Sequence, residues 1–217
     1  LARTDSAFPA RQELNVDEDL PIPGYAWNFA TGSGTVNVGF ICDTPTYKAN
    51  GRHLREILKT YQGLLPDTFA YDDDTRHSQI LPLASQMPPL AYPQVSAALI
   101  GDAASMINPL TGEGIFYGME AGLKLGDGLA RAHRTQDGVA RALVRYERDF
   151  RRTFTGHFRG NYYLRKLIEK PILFDRMLKA GAKSSDLCCD CIEYMMGNET
   201  GVGKKPLYQL AFKTMFA

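Results

Sequence analysis

The chain contains no run of about 20 apolar residues, so it offers no membrane-spanning helix. Residues 1–10 lack the apolar stretch of a secretory signal peptide, and a soluble, cytoplasmic protein is the expectation. Charge imbalance is missing too. The 25 Lys and Arg stand against 24 Asp and Glu, a net charge of +1, which removes the electrostatic case for a nucleic-acid or strongly acidic partner. Cysteine is scarce: Cys42 stands alone, and Cys188, Cys189 and Cys191 crowd into one CCxC cluster. No second pair accompanies that cluster, and none of His53, His77, His133 and His157 is near it, so no metal site is expected; reduced thiols on a helix or a disulfide to another segment remain open. No internal repeat or low-complexity segment is present, and no G-x-G-x-x-G follows any early strand.

What is there amounts to 217 residues, 44% hydrophobic and 23% charged, enough to bury one good core or two small ones. The organising stretch is 96–131. An apolar run at 97–100 has the length of a buried strand and breaks at Gly101 and Asp102. Asn108, Pro109 and Gly112 interrupt regular structure, after which 113–130 shows helical spacing through Ile115, Met119, Leu123 and Leu129. A helix entered through Gly112 and Gly114 presents unpaired N–H groups and about half a positive charge at its start, which suits an electron-rich ligand group. Asp102 is placed to accept hydrogen bonds from a hydroxyl of the same ligand. An ordinary capped surface turn is the alternative reading of the same residues.

The string GDAASMINPLTGEGI resembles the second flavin-binding motif of the glutathione-reductase-type flavoproteins, a group that includes aromatic hydroxylases, flavin halogenases and geranylgeranyl reductases. The resemblance implies FAD, bound by Gly101, Asp102, Pro109, Gly112, Glu113, Gly114 and Ile115. In that implied arrangement Asp102 binds the ribityl chain or an adjacent FAD hydroxyl, Pro109 lies near the isoalloxazine, and the N–H groups of 112–115 face flavin N1 and O2. Ser105 departs from the motif, since many relatives carry Gly there. Flavoproteins of this type open with a βαβ unit whose glycine turn holds the FAD pyrophosphate. Without that fingerprint the resemblance implies the C-terminal portion of a longer protein, whose remaining N-terminal half completes the site; a stand-alone domain that lost nucleotide binding is the alternative.

Upstream, 25–29 and 35–41 read as strands joined by the turn residues of 31–34, a hairpin by turn chemistry and β propensity. Alternation puts Tyr25, Trp27 and Phe29 on one face, either as a substrate surface or as core filling. The string PGYAWNFATGSGTVNVGF closely resembles the PGYxWxFPxxxxxxNVG signature of geranylgeranyl reductases, with Ala30 in place of the usual proline. By that resemblance the hairpin belongs to a substrate-binding sheet covering the flavin, Tyr25, Trp27 and Phe29 are substrate-binding residues, and the substrate is a polyprenyl chain.

The remaining pattern is coarser. An amphipathic helix is expected at 50–65, with Leu54, Ile57, Leu58 and Tyr61 on one side, a strand at 76–83, and a solvated acidic turn at 72–74. Gly118, Gly122 and Gly126 cost a helix roughly 1 kcal/mol each against alanine, which implies a face packed closely against another backbone. Tyr146, Phe150, Phe154, Phe158 and Tyr162 recur every four residues along a basic helix, so the stripe either fills a core or lies on an anionic membrane surface. The chain from Pro171 on reads as helical and packed, and Met195, Met196, Met215 and Phe216 either border a greasy tunnel or fill core.

Together these features predict an α/β protein, α+β in this portion. Residues 1–94 are expected to form part of a substrate-binding β-sheet domain, 95–135 the C-terminal strand–loop–helix of a Rossmann-like FAD-binding domain, and 136–217 a helical C-terminal region. The function implied is that of an FAD-dependent oxidoreductase reducing isoprenoid carbon–carbon double bonds, with NAD(P)H or ferredoxin as electron donor and peripheral membrane contact. A flavin monooxygenase or halogenase and a non-enzymatic lipid-binding or interaction domain are the alternatives. No catalytic residue is nominated, because the family's cysteine-bearing motif lies outside this sequence.

Overall fold

The computed structural model describes residues 2–4, 12–16, 20, 21, 23–31, 34–65, 69–71, 77–135 and 138–196. The acidic turn expected at 72–74 and the apolar end of the chain, with Met215 and Phe216, lie outside these residues, as does the side chain of Met196. The chain divides into two compact units, Leu1–Gln79 and Ile80–Ala217.

The first unit is built on the expected hairpin. Strands β3 (Gly24–Ala30) and β4 (Thr35–Cys42) pair antiparallel from Gly24 opposite Cys42 to Ala30 opposite Val36. With β1 (Ala2–Thr4), β2 (Gln12–Asn15) and β5 (Phe69–Tyr71) they form a five-stranded sheet of order β2-β3-β4-β1-β5, antiparallel throughout. The pleat sends alternate residues to opposite faces, and the face carrying Ala26, Val38 and Phe40 takes helix α2 (Leu54–Leu64), which buries Ile57 and Tyr61. Leu54 is 38% exposed, so only part of the expected apolar side is buried. Polar groups on the covered face are paired: Asn28, 1% exposed, accepts from Asn15 Nδ2 at 3.0 Å and from the Tyr61 hydroxyl at 3.3 Å, and donates to Glu13 at 2.6 Å.

A separate helix, α1 (Thr44–Asn50), precedes α2 and was not expected. Its signal is legible in retrospect: Asp43 caps it by accepting from the Thr46 N–H at 2.7 Å, Pro45 occupies the first turn, and Gly51 ends it at φ 70°.

In the second unit the strand expected at 76–83 does not form. Residues 77–80 are exposed and irregular, and only Leu83 bridges, in parallel, to Ile107. Pro82 has no N–H to give a ladder. The buried strand expected at 97–100 shrinks to a two-residue ladder, β6 (Ala91–Tyr92) against β7 (Ala97–Ala98), with Ile100 43% exposed. A short apolar run does not distinguish a buried strand from a partly covered turn.

Helices α3 (Ile115–Thr135) and α4 (Gly138–Ile168) form the core of this unit, followed by α5 (Pro171–Ala182) and α6 (Ser185–Met196). Four of the five residues of the expected aromatic stripe of α4 are core: Tyr146, Phe150, Phe154 and Phe158 are at most 3% exposed and pack on Tyr117 and Ala121 of α3, while Tyr162 is half-buried beside Tyr163. Phe154 meets Tyr117 edge-on at 5.4 Å and Phe150 at 4.8 Å between ring centres. Polar ties fix α4 to the β6–β7 segment, with the Tyr146 hydroxyl donating to the Leu99 carbonyl at 2.7 Å and Arg151 to the Pro88 carbonyl at 2.6 Å. The CCxC cluster lies on α6, where Cys188 and Cys189 are exposed and Cys191 is buried, all three as free thiols. Burial among Ala180 and Met177 pushes the Cys191 thiol up to about 11. Among the described residues no group of His, Cys, Asp and Glu is arranged to hold a metal ion, and no helix is long and apolar enough to cross a membrane.

Candidate functional site

The stretch 101–115 forms a tightly tied loop between the β6–β7 ladder and α3. It opens with a 3₁₀ turn, Gly101–Ala104, on which Asp102 is exposed, where it was expected at the end of a short buried strand at 97–100; the strand that forms is Ala97–Ala98. Ser105 follows at φ 55° and accepts this left-handed geometry because its N–H bonds the Asp102 carbonyl at 2.9 Å. That φ explains why glycine is favoured at this place of the motif: a side chain there costs on the order of 1 kcal/mol or more.

Asn108, fully buried, organises the next turn. Its Oδ1 accepts from the N–H groups of Leu110 at 2.9 Å and Thr111 at 3.3 Å, its carbonyl accepts from Gly112 N–H at 3.0 Å, and its own N–H donates to the Glu113 carbonyl at 2.7 Å. Gly112 sits at φ 71°, closing the turn. Glu113 then caps α3, its Oε1 accepting from the Phe116 N–H at 2.7 Å, while Oε2 is buried without a partner among the described residues. Gly114 lies against the loop: a Cβ there would come within 3.0 Å of Ile107 Cγ1 and 3.5 Å of the Met106 carbonyl. Pro109 is buried, and its carbonyl accepts weakly from Arg165 at 3.5 Å.

The consequence is a helix start of the kind that binds anions. These bonds, with the Glu113 N–H donating to Thr111 Oγ1 at 3.3 Å, satisfy the N–H groups of Leu110 through Glu113 and of Phe116, and among the described residues no bond engages those of Gly114 and Ile115. Behind them lies a 21-residue helix whose dipole favours negative charge at that end. The structure thus brings Gly101, Asp102, Pro109, Gly112, Glu113, Gly114 and Ile115 into one loop. Its two unpaired N–H groups, its buried carboxylate oxygen without a donor and its exposed carboxylate fit a ligand bearing both acceptors and hydroxyl donors.

Along α3, a Cβ on Gly118 would lie 3.4 Å from Gly101 Cα, so this glycine permits the close packing of helix on loop. Nothing lies within 4 Å of such a Cβ at Gly122 or Gly126, where the expected backbone neighbour is not among the described residues. The same side of α3 leaves Ile115 79%, Met119 64% and Leu123 64% exposed.

In the other unit Tyr25, Trp27 and Phe29 share one face of β3 as expected, with successive ring centres 6.2 and 6.1 Å apart. They lie opposite the covered face and are half-buried, so they do not fill the sheet's helix-covered core. The NVG segment of β4 explains its own residues: Asn37 Oδ1 accepts from the Trp27 indole at 2.7 Å, and a Cβ on Gly39 would overlap the indole ring. Tryptophan, asparagine and glycine form one packing unit across the strand pair.

Sequence reasoning missed a buried polar cluster behind the loop. Asn108 Nδ2 donates to the Tyr117 hydroxyl at 3.1 Å and the Met195 carbonyl at 2.7 Å, and the Tyr117 hydroxyl lies 2.7 Å from His157 Nε2. Asn161 Nδ2 reaches the same nitrogen at 3.0 Å. Burial, with the Glu113 charge adding and the Asn108 bond opposing, pushes the Tyr117 phenol up to about 12. Burial alone holds His157 below its ordinary value, favouring the neutral ring.

No family model matches the chain. A menaquinone reductase of Mycobacterium tuberculosis is 35% identical over 120 residues, 54% of this chain and 29% of that protein. A digeranylgeranylglycerophospholipid reductase of Methanocaldococcus jannaschii is 30% identical over 193 residues, 88% of this chain and 47% of that protein. Among solved structures, a geranylgeranyl bacteriochlorophyll reductase-like protein from Thermoplasma acidophilum superposes with a TM-score of 0.59 at 18% identity, covering 96% of this chain and 49% of that one. The chain spans less than half the length of each of these proteins. In sequence over most of its length, and in its mixed helix and antiparallel-sheet fold, the chain resembles the geranylgeranyl reductase family of flavoproteins.

Proposed function

We propose that this chain is part of an FAD-dependent oxidoreductase that saturates carbon–carbon double bonds of an isoprenoid chain. The observation that carries the reading is the start of α3, where the N–H groups of Gly114 and Ile115 stand without partners ahead of a 21-residue helix and beside Asp102. When bound, FAD supplies the hydride. The chain's own residues would do the rest: Asp102 would accept hydrogen bonds from a ribityl or sugar hydroxyl, Gly114 and Ile115 would donate to the flavin's electron-rich pyrimidine edge, and Pro109, buried in the loop, would fix the backbone beside the ring. Stabilising negative charge at that edge favours the reduced flavin over the oxidised one.

The substrate class rests on the relatives' names together with the aromatic face of β3. Both a digeranylgeranyl lipid and a menaquinone carry a polyprenyl chain, and Trp27, fixed by Asn37 and Gly39, offers it a rigid apolar surface. NAD(P)H or ferredoxin is the proposed electron donor. The open side of α3 at Gly122, Gly126, Met119 and Leu123 suits a further segment of a longer protein, a Rossmann-like part that would complete nucleotide binding. We place the protein in the cytoplasm at a membrane surface. Its contact would be the exposed stripe of Arg152, Arg159 and Lys166 on α4, because the aromatic stripe is spent on the core. The reductase names of the relatives favour this reading over a monooxygenase or halogenase. The test is anaerobic incubation of the reduced full-length holoenzyme with a geranylgeranyl lipid and mass analysis of the product. Gain of two hydrogens per double bond is expected; incorporation of oxygen or halide under air, with no saturation, refutes the reading.

A further inference from the structure

The polar cluster behind the loop has a definite proton order. Asn108 Oδ1 is committed to the N–H groups of Leu110 and Thr111, so its Nδ2 is the donor to the Tyr117 hydroxyl oxygen. The hydroxyl lies 2.7 Å from His157 Nε2, and with its oxygen accepting from Asn108 we assign its proton to that nitrogen and the ring proton to Nδ1. Asn161 Nδ2, fully buried on α4, lies 3.0 Å from the same nitrogen, and its Oδ1 is buried with no partner among the described residues. Three sequence-distant elements meet here: the loop through Asn108, α3 through Tyr117, and α4 through His157 and Asn161, with α6 adding the Met195 carbonyl. Tyr194 of α6 also stacks near His157, at 5.5 Å between ring centres, its hydroxyl standing where any side chain on Gly160 would be.

We infer that His157 is a positioning residue for the 108–113 turn, acting through Tyr117 and Asn108 to hold the turn that precedes the unpaired N–H groups of Gly114 and Ile115. Among the described residues His157 reaches the turn through the Tyr117 hydroxyl at 2.7 Å and, at the longer distance of 3.4 Å, through Asn108 Nδ2 directly. An Asn108 amide deprived of that oxygen keeps only the Met195 carbonyl on its Nδ2 side, which weakens the hold of Oδ1 on the Leu110 and Thr111 N–H groups. The Glu113 carbonyl, held by the Asn108 N–H, is released next, loosening the cap of α3. What the turn positions rests on the flavin reading above; the chain of contacts does not.

The experiment is amide hydrogen exchange at Leu110, Thr111 and Gly112, with the core amides of Phe150 and Phe154 as reference. His157→Phe keeps the ring and removes the acceptor, and Tyr117→Phe keeps the ring and removes the bridge. Each is expected to lower protection in the turn about ten- to a hundred-fold, with the reference amides far less affected. His157→Gln retains an acceptor and should restore most of the loss, and the His157→Phe/Tyr117→Phe pair should lose no more than either alone. Wild-type protection of the turn in both single variants overturns the inference. So does His157→Gln behaving as His157→Phe, or a loss shared equally by the reference amides in every variant. FAD titration of the same variants in the full-length protein separates the two claims: a loosened turn with unchanged flavin affinity leaves the positioning role standing and contradicts the flavin assignment.

Discussion

Replacing Phe154 by alanine distinguishes a core stripe from a membrane-facing one. The ring is 1% exposed and is surrounded by Phe116, Tyr117, Phe150 and Phe158, with centres between 4.8 and 6.1 Å away. Removing a fully buried phenylalanine costs about 3–5 kcal/mol, since the transfer term is joined by a cavity that neighbouring rings fill only in part. Two of those neighbours, Phe150 and Phe158, are anchored on the same helix and have little freedom to collapse inward. Taking about 4 kcal/mol and a urea dependence of about 2 kcal/mol per molar, the midpoint of helix unfolding followed by circular dichroism should fall by about 2 M. Tyr163→Ala on the same helix, 56% exposed, should move it by no more than about 0.3 M. A midpoint for Phe154→Ala within that smaller range would refute the packing assigned to α4.

Three further outcomes follow from the same structure. Gly39→Ala forces the Trp27 indole off its seat on β4, so tryptophan fluorescence should shift and turnover of a long polyprenyl substrate should fall at least tenfold with an unaltered flavin spectrum; unchanged fluorescence would contradict the packing unit. Anionic phosphatidylglycerol vesicles should bind the protein and phosphatidylcholine vesicles should not, and Arg152→Glu/Arg159→Glu should weaken that binding at least tenfold; equal binding to both vesicle types would remove the membrane contact. His157 is held below its ordinary value near 6.5, so the unfolded state binds the extra proton and stability is full above about pH 6.5, declining as pH falls through the lowered native value. His157→Gln should flatten that decline in urea melts between about pH 4.5 and 7, and an unchanged slope would assign it to other groups.

Local signals in the chain were enough for the hairpin, whose turn residues and alternation are contained within a few neighbours, and for α4, where aromatics at every fourth position can share one helical face. They also sufficed for the loop at 101–115, because glycine, asparagine and proline restrict backbone geometry wherever they stand. Ser105 shows the limit of that signal: the motif favours glycine, and the reason, a φ of 55°, is visible only in three dimensions. The strand expected at 76–83 does not form and the one at 97–100 shortens to Ala97–Ala98, because an apolar run specifies burial without specifying a partner; Ile80 is 80% exposed. Tyr117, His157 and Asn161 carried no local pattern at all. Asn108 reaches His157 across 49 positions and Met195 across 87, and side chains that meet over such separations leave no periodicity to read.

What the 101–115 loop binds decides the function of the chain. The direct measurement is the FAD dissociation constant of the full-length protein, wild type against Asp102→Ala. A hydrogen bond to an ionised carboxylate contributes roughly 1.5–3 kcal/mol, so the variant should bind FAD about ten- to a hundred-fold more weakly while keeping its unfolding midpoint, because Asp102 is exposed and its side chain braces none of the described residues. Wild-type affinity in Asp102→Ala would contradict the flavin assignment and the reductase function built on it.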